Sequence, residues 1–275
     1  MRCSPEQAEI VLAELTVLAP GGVEESTGEG FVEYAIYGAE GELPDLGDLD
    51  AVTAEGTVAV TSTEVADDWA DRWREFHRPV EVSAHESDRI VWVGPPWTEP
   101  PDDRLSVVID PGRAFGTGAH PTTRLCLSFM LDLVDRGLAS GPLSDVGCGS
   151  GVLSIAAAGM GWSPVEGFDT EQAAVEASRL NAADNEVEPV FSRRDFRESG
   201  PPLGATVVAN LTAPLLLELA RQIDPDKIPV RLICSGLLDR EGEKVRDAFE
   251  PLGLRPVATD LLDGWRGFLM ESNAR

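Results

Sequence analysis

Three glycines at alternate positions, Gly147, Gly149 and Gly151, follow Asp145-Val146 and precede an Ala-rich apolar stretch from Val152 to Met160. An apolar lead-in, a glycine turn and an apolar helix read as strand, loop and helix, the first crossover of a doubly wound sheet. Glycines belong at such a turn because a side chain would keep the backbone from a ligand over the helix N-terminus. The chemistry this supports is nucleoside binding. A nicotinamide site would prefer G-x-G-x-x-G, whose last position falls here on Val152. The spacing is instead G-x-G-x-G with an acid two residues before it. One crossover later, Val165-Glu166-Gly167-Phe168-Asp169 is a short, largely apolar run that ends in a carboxylate. An acid closing the second strand of such a site accepts hydrogen bonds from both ribose hydroxyls. It can equally cap the helix that begins near Glu171.

A third stretch runs from Asp110 to Thr123. Gly112, Gly116, Gly118, Pro111 and Pro121 make it a loop, and Pro121 opens a helix through Leu125, Phe129 and Leu133. The two hydroxyls at that helix start, Thr122 and Thr123, suit either a bound carboxylate or a helix cap.

The elements that must position these residues fall into three segments. Residues 1–63 read as a small α+β domain. A helix over 5–18 carries Ile10, Val11, Leu12, Leu15 and Leu18 and stops at Gly21-Gly22; strands are expected over Phe31 to Tyr37 and Thr57 to Thr63. A ferredoxin-like sandwich fits best, although its first strand would have to lie within Met1 to Cys3, which is too short. Residues 64–100 read as a linker helix, with Trp69, Trp73 and Phe76 on one docking face, followed by a strand over Ile90 to Val93 and a Pro-rich segment. Residues 101–275 alternate strands and helices, with strands expected near 105–109, 143–147, 164–169, 188–192, 205–210, 229–236, 254–260 and 265–271. The last two, separated only by a turn at Asp263-Gly264, must pair as a hairpin. The fold class is therefore α/β: a doubly wound, mostly parallel sheet with a small N-terminal α+β domain.

In 275 residues, 48 acids against 22 bases give a formal net charge of −26. Such a surface repels phosphate backbones and disfavours direct nucleic-acid binding. It suits a basic protein partner, or a solvated surface set by a saline habitat. The four cysteines form no C-x-x-C pair and the three histidines are scattered, so no metal is expected. No leader and no bilayer-length apolar run is seen, which makes a soluble, cytoplasmic protein the expectation.

The run Phe115-Gly116-Thr117-Gly118-Ala119-His120-Pro121-Thr122-Thr123, with Asp145 to Gly151, Asp169 and Val208-Ala209-Asn210-Leu211, resembles the PrmA family. These are methyltransferases of ribosomal protein L-11. The resemblance is strong from about Val65 to the C-terminus and weak over the first sixty residues. It implies a class I, Rossmann-like methyltransferase, with a doubly wound, mostly parallel seven-stranded sheet, using S-adenosyl-L-methionine. Thr122 would contact the methionine part of that cofactor, with Phe115 and Thr117 helping to enclose it. Gly147 and Gly149 would let the backbone pass close, and Asp169 would hold the ribose. Asn210 would face the transferable methyl and orient the target amine, so it counts as both a catalytic and a cofactor-binding candidate. Asp195 stands where an adenine contact is usual, and His120 would position the loop. The small N-terminal domain would recognise the substrate on a hinge that includes Trp69 and Trp73.

The motif Asn210-Leu211-Thr212-Ala213 is not of the Asn-Pro-Pro-Tyr type associated with glutamine and nucleobase amino groups, and so favours an aliphatic amine. The implied activity is methylation of lysine ε-amines and the N-terminal α-amine of ribosomal protein L-11 by a monomer, without nucleic acid, membrane or metal. Two alternatives stand beside it. One is a related lysine methyltransferase acting on another protein, such as the β subunit of electron-transfer flavoprotein; the other is a non-catalytic cofactor-binding module.

Overall fold

A computed structural model describes residues 2–4, 11, 24–28, 31–35, 77–85, 87–113, 116–201 and 203–272. The chain divides into two compact units, Met1–Trp69 and Ala70–Arg275.

In the first unit, β1 (Arg2–Cys3), β2 (Glu24–Gly28) and β3 (Phe31–Ala35) form an antiparallel sheet in the order β1-β3-β2. This is the order that the first three strands of a ferredoxin-like sandwich take. Met1 to Cys3 is thus not too short for the first strand. Two residues suffice because Cys3 is buried, while the Arg2 guanidinium donates to Glu33 at 2.8 Å and lies 4.0 Å from the Phe31 ring centroid. In β3 the expected alternation is present, with Val32 and Tyr34 buried. Strand β2 has no signal in the sequence, because Glu24-Glu25-Ser26-Thr27-Gly28 lacks apolar alternation and is recruited by backbone pairing to β3. Val11 is helical and buried. The rest of the helix expected over 5–18, the strand expected over 57–63, and Trp69, Trp73 and Phe76 lie outside the described residues.

The second unit holds two sheets. β4 (Val80–Ser83) and β5 (Ile90–Gly94) are antiparallel, and β6 (Leu105–Val108) joins β5 in parallel. The strand expected near 105–109 therefore forms, but not as part of the main sheet. Val91, Val93 and Val107 bury against the helices that cover the main sheet, forming one apolar core with Leu127, Met130 and Ile155.

The main sheet comprises β7 (Leu143–Val146), β8 (Val165–Asp169), β9 (Val190–Arg193), β10 (Thr206–Asn210), β11 (Arg231–Leu238), β12 (Leu254–Leu262) and β13 (Trp265–Ser272), in the order β12-β13-β11-β10-β7-β8-β9. All neighbours are parallel except β13, which runs antiparallel to β11 and β12. The β12–β13 turn has positive φ at both Asp263 (50°) and Gly264 (82°), as a two-residue type I′ hairpin requires. Helices α1 (Pro121–Asp135), α2 (Val152–Met160), α3 (Gln172–Asp184), α4 (Phe196–Ser199), α5 (Ala213–Gln222) and α6 (Gly242–Phe249) connect the strands.

Period-two alternation splits the core. Val208 and Ile233 bury beneath α1 and α2, whereas Val207, Ala209, Leu232 and Cys234 bury with Leu216, Leu219 and Val245 of α5 and α6. Strand order reverses between β7 and β10, which opens a crevice at their carboxyl ends. Among the described residues, no helix is long and apolar enough to cross a membrane, and no cluster of His, Cys, Asp or Glu suits a metal ion.

One polar cluster joins the small sheet, α1 and the edge strand β12. The backbone amide of His85 donates to Asp132 at 2.8 Å, its Nδ1 lies 2.6 Å from Asp132 Oδ2, and its Nε2 lies 3.0 Å from Asp260 Oδ2. Partial burial by itself lowers the imidazole pKa, but the hydrogen bonds to Asp260 and Asp132 and their charges outweigh it, so the net shift is upward. A raised folded-state pKa means that this contribution to stability is complete below the ordinary value of 6.5 and is lost as pH climbs through the folded value. The melting-temperature advantage of wild type over His85→Gln should therefore shrink as pH rises above 6.5. A pH-independent difference between the two melting curves would show that the cluster does not titrate.

Candidate functional site

The glycine loop leaves β7 at the point where the strand order reverses. Gly147 N and Cys148 N both donate to Phe168 O, at 2.9 and 3.1 Å, so the turn is pinned to the end of β8. Gly147 has φ +75°, and a Cβ there would stand 2.6 Å from Leu211 Cδ2. A side chain there is strained by the backbone conformation, and the Leu211 side chain would have to move to admit it. Leu211 is itself held in place: its amide donates to Ser235 O at 3.0 Å, and Gly236 (φ +93°) lets β11 approach so closely that a Cβ would lie 2.3 Å from Leu211 O.

A cavity of about 470 Å³ opens over this turn, lined by Gly147, Gly149, Asp169, Leu211, Arg113 and Phe196 among others. That volume falls within the usual range for small-molecule sites. A slightly larger cavity, about 530 Å³, lies against the far ends of α1 and α2. Its two arginines are already paired, Arg89 with Asp135 and Arg104 with Asp103, and it holds no glycine turn.

Asp169 ties the two crossovers together. Its Oδ2 accepts from Gly149 N at 3.0 Å and its Oδ1 from Glu171 N at 3.1 Å. The helix cap open to it in the sequence is not made: the N-cap of α3 is Glu171, and the bond from Asp169 to Glu171 N closes the turn that leads into it. An ionised carboxylate has about four acceptor sites, so roughly two remain for a ligand in the cavity. Beneath the loop, Asp145 is 1 % exposed. Its Oδ2 accepts from Ser154 Oγ at 2.7 Å, while its Oδ1 has no partner. Burial drives its pKa up to about 7; the Ser154 hydrogen bond opposes the rise and the charge of Asp169 adds to it.

The start of α1 is capped by His120, whose Nδ1 lies 2.8 Å from Thr122 Oγ1 and accepts from Thr122 N at 3.4 Å. The ring also packs edge-on against Trp265, with centroids 4.9 Å apart, and burial lowers its pKa. Of the two uses open to this helix start, capping is seen, and His120 supplies it. Thr122 and Thr123 are both buried. Asn210 Nδ2 donates to Thr123 Oγ1 at 3.2 Å, joining the end of β10 to α1.

The cavity wall thus gathers Gly147, Gly149 and Asp169, whereas Thr117, Thr122 and Asn210 are not among its lining residues. Phe115 lies outside the described residues. Asp195 caps α4 through Arg197 N at 2.9 Å and pairs with the Arg197 guanidinium at 2.6 Å. Leu211, Arg113 and the fully buried Asn181 have no role that the sequence assigns; only the four-residue spacing of Asn181 and Asn185 at the end of α3 hints at a shared polar face.

A family model described as ribosomal protein L11 methyltransferase (PrmA) matches residues 34–272. The chain belongs to that family. Proteins named ribosomal protein L11 methyltransferase include one from Exiguobacterium sibiricum, 32 % identical over 243 residues (87 % of this chain and 75 % of that protein). Another, from Symbiobacterium thermophilum, is 33 % identical over 263 residues (93 % and 84 %). The crystal structure of ribosomal protein L11 methylase from Lactobacillus delbrueckii subsp. bulgaricus superposes with a TM-score of 0.58 at 25 % identity, covering 67 % of this chain and 95 % of that one. This member of the L11 methyltransferase family is a methyltransferase of class I architecture, and its cofactor is S-adenosylmethionine. The site suits that molecule: a floor of backbone at Gly147 and Gly149, and spare acceptors on Asp169 at the cavity wall.

The raised pKa of Asp145 has a defined sign. The folded state favours the neutral acid, so stability is greatest below the ordinary value of 3.8 and falls as pH rises toward about 7. Asp145→Asn keeps an acceptor for Ser154 but does not ionise. The melting temperature of wild type relative to this variant should fall across that pH range and level off above it. A flat difference curve would mean that Asp145 is already ionised in acid.

Proposed function

We propose that this protein transfers methyl groups from S-adenosylmethionine to amines of ribosomal protein L11, the lysine ε-amines and the N-terminal α-amine. The observation that carries this reading is the carboxylate of Asp169 bridging to Gly149 at the rim of a nucleoside-sized cavity, in a chain of the L11 methyltransferase family.

In this reading Asp169 uses its remaining acceptor sites for the ribose hydroxyls, and Gly147 and Gly149 admit the nucleoside without side-chain obstruction. Thr122, Thr117 and Phe115 serve the methionine end. When bound, the cofactor supplies a methyl group activated by its sulfonium. The protein's task is then to present a neutral amine in line with it, largely by proximity and orientation. A lysine amine starts near pKa 10.4 and must shed its proton, which an enclosed, poorly hydrated pocket favours. With Asn210 Nδ2 committed to Thr123, its Oδ1 is the acceptor that orients the amine N–H. Asn210 is held between β10 and α1, so its position is set by packing and not by the substrate.

The division of labour follows the three segments. Residues 1–63 recognise the substrate, 64–100 connect, and 101–275 bind the cofactor and carry the reaction. The net charge of −26 suits a basic protein partner. We place the enzyme in the cytoplasm, acting as a monomer without direct nucleic-acid contact.

Incubation with methyl-labelled S-adenosylmethionine and a panel of purified ribosomal proteins should label L11; label on other proteins alone would overturn the substrate assignment. Asn210→Ala, assayed for both cofactor binding and turnover, should lower turnover by roughly 100-fold. Full turnover would remove Asn210 from the site. Deleting residues 1–62 should preserve cofactor binding and abolish modification of L11, and unchanged activity would refute the recognition role.

A further inference from the structure

Just outside the cavity wall, a single side chain connects two of the segments that flank it. Asn181, in the last turn of α3, is fully buried. Its Nδ2 donates to Ser150 O at 2.9 Å, within the glycine loop. Its Oδ1 accepts from Asp110 N at 3.3 Å and from Arg113 Nη1 at 3.3 Å, at the start of the loop that leads to α1. Arg113 lines the cavity and is braced further by Asp110 at 3.1 Å and Asp184 at 2.8 Å. A parallel stitch runs from Ser150 Oγ to Gly116 O at 2.5 Å. One helical turn beyond Asn181, Asn185 exchanges two hydrogen bonds of 2.7 Å with the backbone of Val108, in the manner of a paired strand. That second amide holds β6 and also donates to Asn181 O at 2.7 Å, but it makes no side-chain hydrogen bond to the glycine loop or to Arg113.

We infer that Asn181 is a positioning residue for cofactor binding. It sets the distance between the glycine loop and Arg113, so these two parts of the cavity lining stand ready before a ligand arrives. The physical reason is that a buried amide must satisfy both its donor and its acceptor. Asn181 does so only when both segments occupy their places. This inference rests on the assignment of the cavity to S-adenosylmethionine.

The test is calorimetric titration of S-adenosylhomocysteine, the demethylated product, into full-length protein well below each variant's melting temperature. Asn181→Ala should weaken binding by roughly tenfold or more, as expected when a buried polar partner is lost. Asn181→Asp keeps the acceptor for Asp110 and Arg113 but loses the donor to Ser150, and should weaken binding severalfold; it provides the reading if the alanine variant does not fold. Asn185→Ala is the control. It should lower thermal stability while leaving the dissociation constant within about twofold of wild type, which a purely structural role for both asparagines would not produce. Wild-type affinity in folded Asn181 variants, or equal loss in Asn185→Ala, overturns the inference. Absence of binding to wild type overturns the cofactor assignment itself.

Discussion

The hydrogen bond from Gly149 N to Asp169 Oδ2 joins two crossovers of one sheet, and the geometry of the site depends on it. Because β7 and β8 pair in parallel, with Val146 opposite Phe168, both strands end at the same level. The amides leaving β7 then meet the Phe168 carbonyl and the terminal carboxylate of β8. A turn with side chains could not fold back so tightly, and an apolar residue at 169 could not hold a backbone amide on each side. The cost falls below, where Asp145 sits in apolar surroundings with one oxygen unsatisfied. A buried polar atom without a partner is destabilising, and such atoms persist where function calls for them.

Around that bond the sheet supplies rigidity from both faces. Strand alternation sends Val208 and Ile233 into one core, and Val207, Ala209, Leu232 and Cys234 into the other. Polar groups can emerge only where strands end, which is why the candidate residues cluster at the carboxyl ends of β7, β8 and β10. Surface ion pairs add little to this framework, since exposed pairs are individually weak and screened by salt. Those near the cavity have another use. Arg113, gripped by Asp110 and Asp184, holds a fixed place on the wall.

Local chemistry makes much of this readable. Apolar runs, glycine punctuation and the Asp263-Gly264 turn delimit the strands of the main sheet to within a few residues, because each signal lies inside its own element. Other features escape for the opposite reason. Strand β2 has no apolar pattern and exists because β3 offers an unpaired edge. Strand β6 is recognisable as a strand, but its place beside β5 follows from which valines the helices can cover.

The same division runs through the site. Gly147, Gly149 and Asp169 are legible in the sequence, since tight turns and strand-end carboxylates are properties of consecutive residues and their spacing. That His120, not a threonine, caps α1 was decided by the turn's geometry. The contacts of Thr123 with Asn210, 87 residues apart, and of Asn181 with Ser150, 31 apart, were settled only by tertiary packing. The order of residues dictates what each segment can offer. Which offers meet depends on how helices and strands bury their apolar faces, and that is a property of the whole fold.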